Sequence, residues 1–383
     1  KGNIMTKKLL PTMIGVALAG GMVAAQADVT VFGHIDQSVV NWDDGQGSDT
    51  NFVCTTCSIG FKGSEDLGNG LKAIFSIDFQ YDMNNRNTGK ASSKSANTTV
   101  AVVTTTTTTG GATNTNVFNK QIGRVTSVSD TSSITDRDQW LGLAGNFGQV
   151  RVGTISTTYK SHGAMLDPGY RTAAQMRDWG IQSNLHRGAG EEGQGRATNT
   201  ARYDSPSWNG LKVAATYTLD SDEGDGENDN PYGAGIEYSN GGLLVFADYI
   251  TTDRGGNDDA YKAGAKYTMN NFSVFGQYEV DGGLISNFNP GSAFKTDGAD
   301  VWMAGGSFTM GNNTVYGAYA QGDNAGNRIP GQGFDTGYDA WEVVGIHSMS
   351  KQTLVYLGYV TYEPDAKAVS DSDGWALGMK HKF

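Results

Sequence analysis

The sequence predicts an all-β protein, a 16-stranded antiparallel transmembrane β-barrel, on three observations. Apolar residues alternate with polar or small ones in runs of about ten, the length a tilted strand needs to cross a bilayer. Short and long connections alternate along the chain. The final run, GWALGMKHKF, places Trp375, Leu377 and Met379 on one parity and ends on Phe383 of the same parity, which suits a closing strand with one face toward lipid. Composition agrees. Glycine at 54 residues against 7 prolines, with 17 tyrosines and 15 phenylalanines, favours strands and tight turns. A mean hydropathy of −0.40 fits either a secreted soluble β-protein or a barrel whose polar lumen and loops mask its lipid face. The pattern of connections decides for the barrel.

Residues 1–27 read as a leader outside the fold, with residues 1–4 upstream of Met5. Lys7 and Lys8 precede an apolar run from Leu9 to Ala25, followed by Ala25-Gln26-Ala27. These are the basic, apolar and cleavage regions of a signal peptide cut after Ala27. The run is short and broken by Pro11 and glycines, which argues against a membrane-spanning anchor. Residues 28–383 form the barrel domain, and Asp28–Asn41 is its first strand. The formal net charge is −12, and removal of Lys1, Lys7 and Lys8 with the leader makes the rest more acidic. Nucleic acid is therefore excluded as the expected partner.

Cys54 and Cys57 are the only cysteines. In an oxidising compartment a local disulfide is favoured. A metal site would need two further ligands, and a redox CxxC would need a helix start.

The clearest alternating run is Leu71, Ala73, Phe75, Ile77, Phe79 and Tyr81, with Lys72, Ile74, Ser76, Asp78 and Gln80 between them. Similar faces recur at Leu211–Tyr217, Leu243–Tyr249, Tyr261–Tyr267 and Phe272–Tyr278. Tight connections fall at 65–70, 145–148, 207–210, 240–242, 270–271, 311–313 and 350–351, most with the Gly or Asn that hairpins require. Long polar connections fall near 41–54, 82–136, 156–198, 220–231, 252–259, 281–299, 322–337 and 363–373. Seven short and eight long joints connect sixteen strands. Barrels show this asymmetry, with short periplasmic turns and long external loops. Closure also removes the edge strands that such hairpins would otherwise expose.

Parity turns Lys62, Lys72, Arg151, Arg202 and Lys212 inward. Asp36, Asp78, Asp204 and Glu237 also point inward and make the wall mixed in sign. Residues 83–135 form a long external insertion, in which Val100, Val102 and Val103 beside the threonine run 104–109 favour a hairpin turning at Gly110-Gly111. The competing reading is a low-complexity loop. In 156–198, TAAQMRDWGI (172–181) suggests one short helix. Asp167, Asp178, Glu191 and Glu192 supply its negative charge, nearly balanced by Arg171, Arg177, Arg187 and Arg196. The segment SDEGDGENDN (221–230) has the composition of a calcium loop but not its ligand spacing. Enzyme readings find no support. The five histidines show no paired metal spacing, there is no GxSxG elbow, and His347 and Ser348, being adjacent, face opposite sides. No cofactor is expected.

The stretches VTVFGHID (29–36), IGFKGSEDLGNGLKAIFSID (59–78), WLGLAGNFGQVRVG (140–153), ARYDSPSWNGLKVAATY (201–217) and VVGIHSMSKQTLVYLGYVTYE with the closing GWALGMKHKF together resemble Gram-negative general porins of the Neisseria/Bordetella type. The chain departs from that pattern in its second long loop and its Cys pair. The resemblance implies an outer-membrane channel for passive diffusion of ions and small hydrophilic solutes, assembled as a homotrimer among outer-membrane lipids and lipopolysaccharide. It implies that 156–198 folds into the lumen as the constriction. It also implies that the C-terminal strand, with Trp375, Leu377, Met379 and Phe383, is read by the barrel-assembly machinery. A substrate-selective channel on the same fold, or a barrel that acts at the surface through its long second loop, are the alternatives.

Overall fold

The computed structural model describes residues 28–84, 101–109, 112–120, 134–183, 195–219, 230–251, 259–281, 300–323, 337–365 and 370–383. Residues 1–27, read above as a leader, Glu191 and Glu192, and the acidic run 221–229 lie outside them.

The chain closes into one antiparallel barrel. Its first strands are β1 (Asp28–Asp43), β2 (Ser48–Cys54), β3 (Ser58–Gly68) and β4 (Leu71–Tyr81). Two further strands, β5 (Ala101–Thr109) and β6 (Ala112–Lys120), pair with each other as a separate ladder. The barrel resumes with β7 (Ile134–Gly145), β8 (Gly148–Ser156), β9 (Arg196–Asp204), β10 (Leu211–Thr218), β11 (Tyr232–Asn240) and β12 (Leu243–Thr251). It continues through β13 (Asp259–Met269), β14 (Phe272–Asp281), β15 (Val301–Met310) and β16 (Asn313–Gly322), and ends with β17 (Tyr338–Ser348), β18 (Thr353–Pro364) and β19 (Ser372–Lys382). Each strand pairs with the next, and β19 returns to β1 with His34 opposite Lys382 and Asn41 opposite Trp375.

The sheet has seventeen segments because its second strand is broken into β2 and β3. Both pair with β1, Cys54 opposite Gln37 and Ser58 opposite His34. Thr55, Thr56 and Cys57 therefore face only Ile35 and Asp36, which makes the break a β-bulge, and the barrel has sixteen strands. The bulge keeps its backbone bonds: Thr55 N–H donates to Asp36 at 3.1 Å and Cys57 accepts from Tyr81 N–H at 3.0 Å. Cys54 and Cys57 are joined by a disulfide across it.

The first joint corrects the expected long connection at 41–54. Only residues 44–47 leave the ladder. The Asp44 carboxylate accepts from Gln46 and Gly47 N–H at 2.9 and 3.1 Å, so polar residues that look like a loop in sequence build a tight turn on strands of unusual length.

Burial is inverted relative to a soluble domain. Ile77, Leu141, Val152, Leu357 and Leu377 lie exposed on the outer face, at 40–61% of full accessibility, while Asp78, Glu237, Asp248, Lys262 and Glu279 are buried inside. Apolar surface outside and charge inside is stable only where the outside solvent is lipid. Aromatic pairs mark the two interfaces. Tyr232–Tyr249, Trp302–Tyr319 and Trp341–Tyr359 line the end carrying long connections, and Phe272–Phe308 the end carrying turns.

At the closing seam, Gly33 and Phe383 exchange both backbone hydrogen bonds at 3.1 Å. The Phe383 ring lies over Gly33, where an added Cβ would come within 2.7 Å of its Cζ and would also strike the Ser58 carbonyl. Gly33→Val is therefore expected to destabilise closure by about 1–3 kcal/mol, read as a lower temperature for loss of the heat-modifiable form on gels. An unchanged transition would refute this role for the Gly33–Phe383 contact.

Candidate pore constriction

β8 ends at Ser156, and the segment that follows enters the barrel instead of leaving it. Thr157 closes the base, its N–H donating to Gly195 at 2.8 Å, and its hydroxyl caps the helix α1 (Thr158–Gly163) by accepting from Lys160 N–H. So short a helix gains its stability from packing, and the packing is against the wall. Tyr159 donates through its hydroxyl to Glu279 at 3.0 Å, and Ser183 donates to the same carboxylate at 2.6 Å. His162 lies 2.8 Å from Asp248 through Nδ1 and 3.7 Å from Glu237 through Nε2. The Lys262 ammonium donates to the Tyr159 carbonyl and sits 4.1 Å from the centre of its ring.

The second half of the segment lies on β16–β19 and reaches β1. Tyr356 accepts from Ala173 N–H at 2.9 Å, Tyr316 donates to Ala174 at 2.8 Å, Tyr338 to Gly180 at 2.8 Å, and Lys380 to Tyr170 at 2.7 Å. The Trp179 and Trp42 rings meet at 5.0 Å. Beneath these bonds Leu166, Met176 and Ile181 pack on Phe246, Tyr316 and Val344 of the wall. The helix expected in 172–181 is replaced by a 3₁₀ turn, Met176–Asp178. The wall tyrosines and the Trp179 indole, which donates to Ala173 at 2.6 Å, take the backbone groups that a helix would pair internally.

The opposite wall is basic. Arg137 donates to Asp78 at 3.0 Å and to Gln80 at 2.7 Å. Arg151 and Arg202 converge on one carboxylate, Asp204, and Arg202 also reaches the Ser156 carbonyl at 2.5 Å. Arg196 pairs with Asp138 at 3.2 Å. From the loop, the Arg171 and Arg177 guanidiniums lie 5.6 and 5.0 Å from the Tyr170 ring centre. Burial would raise the Tyr170 pKa, but the cations Arg171, Arg177 and Arg137 outweigh it and hold the phenol below its usual range. Burial pushes the Lys160 ammonium well below the lysine range, Arg196 adding to the effect and Asp138 opposing it.

The structure brings Arg151 and Arg202 together and leaves Lys62, Lys72 and Lys212 exposed nearer the short turns, Lys62 over the Phe32 ring at 5.2 Å and Lys212 at 3.5 Å from Glu237. For Asp167 it corrects the picture of loop acids facing a cationic wall. Asp167 is buried, accepting from Gly169 and Met176 N–H at 2.7 and 3.1 Å, so it shapes the loop from within. Asp178 accepts from Gln175 at 2.6 Å. The acids on the wall opposite the arginines, Glu237, Asp248, Glu279 and Glu342, are buried, the first three beneath the loop. Arg137 escaped the sequence reading because 82–136 looked like loop up to its doorstep. A parity break at Asp136-Arg137-Asp138, where the β4–β7 register shifts, is the signal that marks it.

Asp167 makes the seating of the loop sensitive to pH. Burial pushes its carboxyl up to about 7, against the two N–H donors and Arg177, which favour the anion. A raised carboxyl contributes stability that is full below the unfolded value near 4 and lost as pH rises to about 7. Amide exchange across 158–183 should therefore show less protection, after correction for the intrinsic rate, at pH 8 than at pH 4. Equal protection would count against it.

A sixteen-strand barrel crossed by an inward loop anchored on its own wall defines the class of pore-forming outer-membrane barrels. The chain matches the Gram-negative porin family over residues 12–367 and belongs to it, which places it in the outer membrane. It is 29% identical over 245 residues to the major outer membrane protein P.IB of Neisseria meningitidis, covering 61% of this chain and 56% of that protein. The corresponding protein of Neisseria gonorrhoeae is 27% identical over 250 residues, 62% and 55% of the two chains. The matched region thus spans little more than half the length of these relatives. Among solved structures, an anion-selective porin from Comamonas acidovorans superposes with a TM-score of 0.63 at 19% identity, over 94% of this chain and all of that one. Salmonella typhi OmpF in complex with daunomycin superposes with a TM-score of 0.62 at 15% identity, over 93% and 97%. At these identities the likeness is one of fold.

Proposed function

We infer that the protein is a water-filled channel for passive diffusion of ions and small hydrophilic solutes, that it prefers anions, and that it performs no catalysis. The observation that carries this reading is the position of the loop. It lies on the acidic wall, covering Glu237, Asp248 and Glu279, and adds Arg171 and Arg177 to a lumen whose other wall carries Arg137, Arg196 and Arg202, these three each paired with an aspartate. Charge in a narrow lumen acts on a permeating ion at short range and with little screening.

A homotrimer is part of the proposal. The aromatic pairs that face lipid at the long-connection end belong to β11–β18, whereas Val29, Val31, Leu141 and Val152, with Phe52 and Phe61 among them, give the other side of the barrel an exposed apolar face, suited to another barrel. The test is single-channel recording of purified protein in a KCl gradient. A reversal potential of anion-selective sign is expected. A cation-selective sign would overturn the preference, and absence of conductance would overturn the channel.

A further inference from the structure

The barrel separates charge along its axis as well as across it. Around the rim formed by the β1–β2 turn and the outer ends of β10–β19, Asp43, Asp44, Asp49, Asp300, Asp323, Asp339, Glu363, Asp365, Asp371 and Asp373 are present, and no Lys or Arg occurs among the described residues there. Asp49, opposite the inward Trp42, lies on the lumen face, whereas Asp43, Asp339, Glu363 and Asp373 share the outward parity of Trp341, Tyr359 and Trp375 and contribute as charge on the outer rim. In sequence the connection 220–231 adds six carboxylates and no base, 82–136 and 156–198 carry more bases than acids, and Arg254, Lys295, Arg328 and Lys367 lie in connections that otherwise have an excess of acids. The short-turn end is the reverse. Lys62, Lys72, Lys212, Lys266 and Lys382 take inward positions there, against Asp28 and Asp66, while Arg151, Arg202, Asp204 and Glu237 belong to the level of the loop.

We propose that this axial separation makes the open channel a rectifier, passing more current when the long-connection side is positive. An acidic mouth enriches cations and a basic vestibule enriches anions. With the acidic side positive, cations enter through the zone that enriches them and anions enter from the other side through theirs. Both accumulate where the zones meet, and conductance rises. With the polarity reversed, each ion must enter through the zone that repels it, the junction is depleted, and conductance falls. The effect depends on rim charges reaching the axis, so it belongs to low salt. The Debye length is about 10 Å at 0.1 M and about 3 Å at 1 M.

The experiment is single-channel current against voltage in symmetric KCl. Orientation is fixed by Gln46→Cys, an exposed turn position, capped from one chamber with an impermeant maleimide. At 0.1 M the current ratio between polarities should be about 1.5-fold or more in the stated sense, falling to near 1 at 1 M. Lys72→Gln with Lys212→Gln should bring the 0.1 M ratio toward 1. So should Asp43→Asn, Asp44→Asn and Asp49→Asn together, since asparagine keeps the side-chain oxygens that cap the turn. A symmetric wild-type channel at 0.1 M, the opposite sense, or a ratio indifferent to both sets would overturn the proposal. The ratio is independent of the anion preference, which a symmetric channel would retain.

Discussion

Arginine in place of Ile77 should destabilise the folded barrel by about 2–4 kcal/mol if the residue sits near the bilayer midplane, whereas arginine at Ile74 should cost under about 1 kcal/mol. Ile77 lies mid-way along β4 on the outer face, 40% exposed, between the buried inward residues Ser76 and Asp78. Its neighbours across the ladders, Phe61 and Gln139, share that face. An arginine there must carry its charge through hydrocarbon or thin the membrane around it. Ile74 has the opposite parity and borders the vestibule that holds Lys62 and Lys72, where a further guanidinium stays in water and meets only screened repulsion. Urea titration of protein folded into vesicles gives both numbers. Equal costs would mean that the parity of β4 is wrong by one residue, and every inward assignment on that strand would exchange faces.

That parity was legible in the sequence, as was most of the barrel, because each lipid-facing strand is an independent local signal with its own alternation and its own turn. The hairpin turns at 69–70, 146–147, 241–242, 270–271 and 311–312 fall where Gly and Asn announced them. The bulge at Thr55–Cys57 was not legible, since an extra residue leaves no trace except a change of phase in a strand already polar above the membrane. The loop was legible in extent and illegible in placement. Its seat is a set of apolar residues facing inward, Phe246, Phe275, Tyr316, Val344 and Tyr356. They interrupt the polar parity of their strands, as in Leu243-Leu244-Val245-Phe246 and Val343-Val344. A run that is apolar on both faces looks like a better strand, and only closure of the barrel turns its inner half into a binding surface. The charges followed the same logic. Parity gives the side of the wall for Arg151 and Arg202, but their shared partner Asp204 depends on the β8–β9 register, and burial of Asp167 depends on how the loop folds over itself.

Removing the Glu279 carboxylate should release the loop without unfolding the barrel. Glu279 accepts from Tyr159 at 3.0 Å, from Ser183 through its hydroxyl at 2.6 Å and its N–H at 3.4 Å, and from Gln277 at 2.5 Å, and Tyr159 and Ser183 come from opposite ends of the constricting segment. Hydrogen bonds to a charged acceptor contribute about 1.5–3 kcal/mol each and are not additive. Glu279→Ala is thus expected to weaken seating by about 2–4 kcal/mol, a factor of roughly 30 or more in the opening equilibrium. Glu279→Gln, which retains an oxygen acceptor, should do less. The seventeen-segment ladder does not pass through this side chain, so the thermal transition of the barrel should move little. The pore should change instead. Single-channel recordings of Glu279→Ala should show larger, noisier conductance and a weaker anion preference, because the loop that screens Asp248 and Glu237 and presents Arg171 and Arg177 no longer holds its place. Conductance, noise and reversal potential all equal to those of the parent channel would mean that the remaining anchors, from His162–Asp248 to Tyr316–Ala174, hold the loop without Glu279.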